Sequence, residues 1–196
     1  KWSPFLVGDC LVKVETAADA TGQSYYGESK LFLLSRSRAS AITVTPPKEG
    51  AIHDFAWSPR RHVFVVAAGK SPARCVLFDG KTGNGMLDFG EAHRNVVSFS
   101  PHGRFLCLAG FGNLAGDMDF WDVKKNKEMG SCKADTAVGY GWSPCGRIFM
   151  TATLAPRMNV DNKVVLYSYR GGKLGSWGVE VFGKSDDALL ESRFVP

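Results

Sequence analysis

The segment Phe99–Val123 reads FSPHGRFLCLAGFGNLAGDMDFWDV, and its centre, GFGNLAG (110–116), admits two readings. As G-x-G-x-x-A it matches a dinucleotide-binding fingerprint. As a glycine-bearing loop it joins two β-strands. The fingerprint requires a strand before it and a helix after it, because the helix N-terminus holds the pyrophosphate. Here Gly116 leads into DMDFWDV (117–123), which reads as a strand. With no helix to aim a dipole at a phosphate, the glycines serve a reversing loop by supplying positive φ angles.

A loop between two strands fits a larger repeat. Trp57-Ser58-Pro59, Phe99-Ser100-Pro101 and Trp142-Ser143-Pro144 align at spacings of 42 and 43 residues. Each is followed by a turn and an apolar run: HVFVVAAG (62–69), RFLCLAG (104–110) and RIFMTAT (147–153). A third run then appears each time: ARCVLFD (73–79), DMDFWDV (117–123) and KVVLYSY (163–169). Short fourth strands are expected near 86–89, 129–132 and 174–179. The runs are short, rich in Val, Phe, Leu and Tyr, and bounded by Gly, Pro or Asn, which favours strands over helices. Only 186–192 hints at a helix.

Four strands per repeat of about 40–45 residues is the pattern of a β-propeller blade. A twisted sheet with two apolar faces cannot bury both alone, and stacked blades cover each other. The predicted class is therefore all-β, with about four blades of four antiparallel strands, expected to form part of a larger propeller. The expected blades are 1–46, 47–90, 91–133 and 134–185, with 186–196 starting a further innermost strand. The first blade opens at Trp2-Ser3-Pro4 and carries an insertion over 16–28. A start at Lys1 without an initiator Met is expected to lie inside a longer protein.

Other motifs do not carry chemistry. Gly80-Lys81-Thr82 lacks the glycine five residues earlier that a phosphate-binding loop needs; Cys75 stands there. Gly141-Trp142-Ser143-Pro144-Cys145 lacks the last glycine of a nucleophile elbow. His53, His62, His93 and His102 show no zinc-site spacing with a cysteine. No catalytic residue, metal or cofactor is assigned, and no small-molecule substrate is expected. The five cysteines form no C-x-x-C pair, which favours a reducing, cytoplasmic setting with free thiols. No apolar run is long enough to cross a bilayer.

Three stretches, TGQSYYGESKLFLL (21–34), SPHGRFLCLAGFGNLAGDMDFWDVKKNK (100–127) and TATLAPRMNVDNKVVLYSY (151–169), resemble the eukaryotic translation initiation factor 2A family. The likeness runs in order over nearly the whole chain. It implies a propeller of about nine blades, of which this chain would be the C-terminal half. It also implies association with the small ribosomal subunit, initiator Met-tRNA and other initiation factors, a role in unconventional initiation, and no enzymatic activity. The related b subunit of initiation factor 3 shares Trp-Ser-Pro blades, but is not expected to combine YYGE with AGFGNLAG.

In a blade, the loops between strands two and three share a face with the inter-blade connections. That face would hold Tyr25, Tyr26, Phe111, Asn113, Arg157, Asn159, His93 and Arg94, diluted by Glu49, Glu91 and Asp135. Its aromatic rings and Arg157 would suit unpaired bases or a protein partner, unless the tyrosines pack the 16–28 insertion onto its blade. The opposite face would hold Arg60, Arg61, Lys81, Arg104, Lys124, Lys125, Lys127, Arg147, Arg170 and Lys173, with Glu128. These cations suit a phosphate backbone, or are the ordinary solvated residues of hairpin turns. The net charge of +5 is compatible with both. Three functional classes follow: an RNA-binding initiation factor, a WD-repeat protein-interaction scaffold without an RNA role, and a propeller enzyme, for which no motif speaks.

Overall fold

The anchors at Trp57, Phe99 and Trp142 each end the first strand of an antiparallel sheet. The computed structural model describes residues 1–5, 8–16, 29–36, 41–155, 161–178 and 188–195. Its regular elements are all strands. The first sheet joins β1 (Cys10–Glu15), β2 (Ser29–Leu34) and β3 (Ile42–Val44), and Trp2 adds one bridge to Cys10 at the β1 edge. The second holds β4 (Ile52–Trp57), β5 (Val63–Ala68), β6 (Ala73–Asp79) and β7 (Gly85–Ala92). The third holds β8 (Val96–Phe99), β9 (Phe105–Ala109), β10 (Asp117–Asp122) and β11 (Lys127–Lys133). The fourth holds β12 (Gly139–Trp142), β13 (Ile148–Thr153), β14 (Lys163–Ser168) and β15 (Lys173–Gly178). Sequential strands pair throughout, as in the blades of a β-propeller.

The anchor serine closes the first hairpin of each blade. Ser58, Ser100 and Ser143 are buried, and their N–H groups donate to the carbonyls of Val63, Phe105 and Ile148 at 2.8–2.9 Å. The Ser100 and Ser143 hydroxyls also accept from the N–H of Phe105 (3.0 Å) and Ile148 (3.2 Å). Buried polar groups of the anchor serines are thus satisfied by the hairpin they close. The tryptophan bonds as well as packs. Trp57 Nε1–H donates to the Lys1 carbonyl, and Trp142 Nε1–H to the Ser98 carbonyl, each at 3.1 Å. In both cases the acceptor precedes the anchor aromatic of the previous blade.

The chain divides into two compact units, Lys1–Val97 and Ser98–Pro196. In the first unit, Leu11, Leu31, Leu33 and Val44 of one sheet pack on Ile52, Phe55, Phe64, Val66 and Phe78 of the next. All six residues of β5 are buried, so both of its faces are covered, which explains the unbroken apolar run of the second strands. In the second unit, the fully buried rings of Phe120 and Phe149 meet Trp142.

GFGNLAG is a turn between β9 and β10. Gly116 N–H donates to Gly110 O at 2.8 Å, and Gly112 and Gly116 have φ of 71° and 88°. A Cβ on Gly116 would lie 2.1 Å from Ala134 O, whereas one on Gly112 would meet open space. Gly116→Ala should therefore destabilise by about 2–3 kcal/mol, from backbone strain and a clash together. Gly112→Ala should cost only about 1 kcal/mol, for its φ alone. Urea midpoints of the two variants check the ranking; equal costs would contradict the close approach at Ala134.

Of the stretch 186–196, expected to start a further innermost strand, residues 188–195 are described and are not laddered with another strand of this chain; 186, 187 and Pro196 lie outside the described residues. Leu189 and Phe194 instead pack on Met150, Ala152 and Val164, and Leu189 O accepts the Ala155 N–H at 2.9 Å.

Candidate nucleic-acid interface

The sequence builds the turn between the third and fourth strands with one device in three sheets. A short acceptor at the end of the third strand captures the next N–H groups. Asp79 Oδ1 accepts from Lys81 N and Thr82 N, both at 2.8 Å. Asp122 Oδ1 accepts from Lys124 N and Lys125 N, both at 3.1 Å. Ser168 Oγ accepts from Arg170 N (3.4 Å) and Gly172 N (3.1 Å). The chain then reverses through a positive φ at Gly83 (72°), Asn126 (51°) and Gly171 (81°). Asp, Ser, Asn and Gly are the residues that such turns require. The charged side chains that these turns lift into solvent are basic: Lys81, Lys124, Lys125 and Arg170, beside the uncharged Thr82 and Asn126.

In the second unit, two hairpins from each of the third and fourth sheets come to one end. Their segments 100–104, 122–128, 143–147 and 168–173 carry Arg104, Lys124, Lys125, Lys127, Arg147, Arg170 and Lys173, all exposed. The acids there are exposed Glu128 and buried Asp122. Arg104 is held by Asp122, whose Oδ2 accepts from Nε at 3.0 Å and from Nη2 at 2.9 Å. The other six make no ion pair among the described residues. In the first unit, Arg60, Arg61 and Lys81 are likewise exposed on the hairpin end of the second sheet.

Burial works to raise the Asp122 carboxyl, yet the Arg104 guanidinium and the N–H groups of Lys125 and Lys124 hold it below its ordinary value of 3.8. The charged carboxylate is thus favoured by folding. Its stabilisation is fully present above pH 3.8 and is lost as the pH falls through the lower folded value. Asp122→Asn should cost about 2 kcal/mol near neutral pH, since it weakens a buried charge-assisted network. The gap between wild type and variant should narrow below about pH 4. Thermal melts across that range check it, and a gap that widens towards acid would contradict the assignment.

The two expected faces fare differently. Tyr25, Tyr26, Arg157 and Asn159 lie outside the described residues. Phe111 was expected as an exposed contact, but is only 3% exposed, and its ring lies 5.1 Å from that of Tyr140. It turns inward because the loop is tied down by Gly112 N–H to Ala137 O, which makes the ring part of the packing. Asn113 is exposed at the same turn. Arg94 is buried and donates to Phe89 O at 3.1 Å, so it serves the fold. Glu91 is paired with Lys48.

The sequence reading missed two aromatic residues at the basic end. Phe105 and Tyr169 stack at 4.5 Å between centroids with 22° between planes. The Arg104 guanidinium lies over Phe105 at 5.2 Å, and that of Arg170 over Tyr169 at 5.4 Å. Their signal was the pairing of an arginine with an adjacent aromatic, Arg104-Phe105 and Tyr169-Arg170, at two hairpin ends.

Residues 6–182 match the sequence profile of the family described as eukaryotic translation initiation factor eIF2A. The chain belongs to the eukaryotic translation initiation factor 2A family. It is 43% identical to eukaryotic translation initiation factor 2A of Dictyostelium discoideum over 159 residues, 81% of this chain and 26% of that protein. With the Drosophila melanogaster factor it shares 39% identity over 165 residues, 84% of this chain and 25% of that protein. A crystal structure described as the eukaryotic initiation factor superposes with a TM-score of 0.66 at 27% identity, covering 89% of this chain and 43% of that one. The chain therefore spans about a quarter of the length of these two curated relatives. Membership in the family fits the blade anchors and the GFGNLAG turn, which the matched region contains. No helix among the described residues is long and apolar enough to cross a membrane.

Proposed function

We propose that this chain is a docking part of a translation initiation factor, which acts in the cytoplasm on the small ribosomal subunit and helps recruit initiator Met-tRNA or support alternative initiation. In this reading the four sheets are consecutive blades, bounded near residues 46, 90 and 133, of a larger propeller completed by the rest of the protein. The observation that carries it is the basic hairpin end of the second unit, with seven exposed cations against one exposed acid. Such an end supplies affinity for a phosphate backbone without reading sequence. Family membership supplies the translational setting. Cysteines in the free thiol form agree with a reducing compartment.

The test is co-sedimentation of the whole protein with purified small subunits over a series of salt concentrations. Binding through phosphates predicts that log affinity falls linearly with log salt. Salt-insensitive binding would instead support a protein-interaction scaffold without an RNA role.

A further inference from the structure

The basic end also carries a surface stack, which charge alone does not require. Arg104, Phe105, Tyr169 and Arg170 form a four-membered pile in which two aromatic rings are covered at either side by guanidinium groups. Phe105 and Tyr169 are half-buried, and the two arginines are exposed. This is not a core pair. The core rings of the same unit, Phe120 and Phe149, are fully buried and meet at 78°, edge to face. The Phe105–Tyr169 pair lies flat at 22° beside solvent.

The stack is also preassembled. Arg104 is forked onto buried Asp122. Tyr169 is fixed by its N–H, which donates to Arg147 O at 2.9 Å. The 168–173 hairpin sits directly on β11, where a Cβ on Gly130 would come within 2.2 Å of Arg170 O. A surface held in place before binding loses little freedom when it binds.

We propose that this stack is a base-stacking platform for unpaired RNA, with Lys124, Lys125, Lys127 and Arg147 tracking the strand's phosphates. A purine or pyrimidine slides onto the Tyr169 face where Arg170, which makes no ion pair among the described residues, now lies, and that guanidinium covers the base's other face, while Arg104 stays on Asp122. Aromatic rings and guanidinium planes are the two surfaces on which proteins stack single-stranded bases, and neither demands a particular base. A duplex hides its base faces, so the platform selects a single strand. This inference rests on the reading above and adds the class of ligand taken by the same end.

The experiment compares three probes on the full chain: a short unpaired RNA of about a dozen nucleotides, the same strand without bases, and the matching duplex. Wild type should bind the base-bearing strand about tenfold or more tighter than the abasic one. The double variant Phe105→Leu/Tyr169→Leu keeps apolar bulk without a π-face. It should bind both strands at the abasic level, with the salt dependence unchanged. A fluorescent purine in the strand should be quenched on binding wild type, a readout that needs no variant to fold. Equal affinity of wild type for base-bearing and abasic strands, unquenched emission, or an intact preference in the double-leucine variant would overturn the platform. A partner that proves to be protein, with neither strand bound, would overturn it too. Failure of the stacking arms alone leaves salt-dependent small-subunit binding standing, so the two readings fail separately.

Discussion

Replacing Phe149 by alanine should cost the fold about 3–5 kcal/mol. Phe149 sits on β13 and is fully buried. Its ring meets Phe120 edge-on at 5.6 Å and Trp142 at 5.1 Å, and it stacks with Tyr140 at 6.4 Å. Phe120 belongs to the third sheet and Phe149 to the fourth, so the ring is a joint between two blades of one unit. Truncation removes the buried apolar area and leaves a cavity that two stiff sheets cannot close. Each aromatic pair lost adds about 0.5–1.5 kcal/mol beyond area, though losses around one ring do not sum. A small domain holds only about 5–15 kcal/mol in all, so the variant should populate unfolded protein at ordinary temperature or in mild denaturant. Phe149→Leu keeps most of the volume and should cost about 1–1.5 kcal/mol. Guanidinium titrations of the two variants supply the comparison. An alanine cost below about 1 kcal/mol, no larger than that of a surface position, would mean that blade contact is carried elsewhere.

The second strands were legible because burial on both faces writes itself as an unbroken apolar run, as in Val63–Ala68. The anchors were legible because tryptophan, serine and proline each answer a separate demand at one corner. Even there the sequence did not show that the serine closes the hairpin or that the indole bonds back to the preceding sheet. The fourth strands were the least legible. β7 and β11 are mostly exposed along their length, so no apolar run marks where they begin or end. They run from Gly85 to Ala92 and from Lys127 to Lys133, beyond the short stretches expected.

The candidate site divides along the same line. Exposed cations in hairpins could be placed from turn chemistry, because the turn fixes which residues point outward. Phe111 could not, because its inward turn depends on a hydrogen bond to Ala137, more than twenty residues away. Phe105 and Tyr169 were hidden for the same reason: they lie in different blades, and only the approach of the fourth sheet's hairpin to β11 brings them together. A contact that exists only between repeats leaves no trace in the period of either one.

The triple reversal Lys124→Glu/Lys125→Glu/Lys127→Glu should weaken RNA and small-subunit binding by about 100-fold or more at low ionic strength. The three side chains are exposed and make no ion pair among the described residues, and the turn beneath them is closed by main-chain N–H groups. Stability should therefore change little, by about 0.5 kcal/mol or less per position. Affinity should change much more, because each lysine that neutralises a phosphate releases a condensed counterion. Three lost contacts on a single strand should flatten the slope of log affinity against log salt by about 2. The reversed charges also repel the strand, over a screening distance of about 10 Å at 0.1 M salt. The loss should thus be largest at low salt and shrink as salt rises. Reversal of Lys133 and Lys163, which lie at the opposite end of β11 and β14, changes net charge in the same sense and should leave the slope unchanged. Equal effects at both ends would mean that net charge, rather than this hairpin end, attracts the strand. An unchanged slope in the triple variant would take the phosphate track away from these lysines altogether.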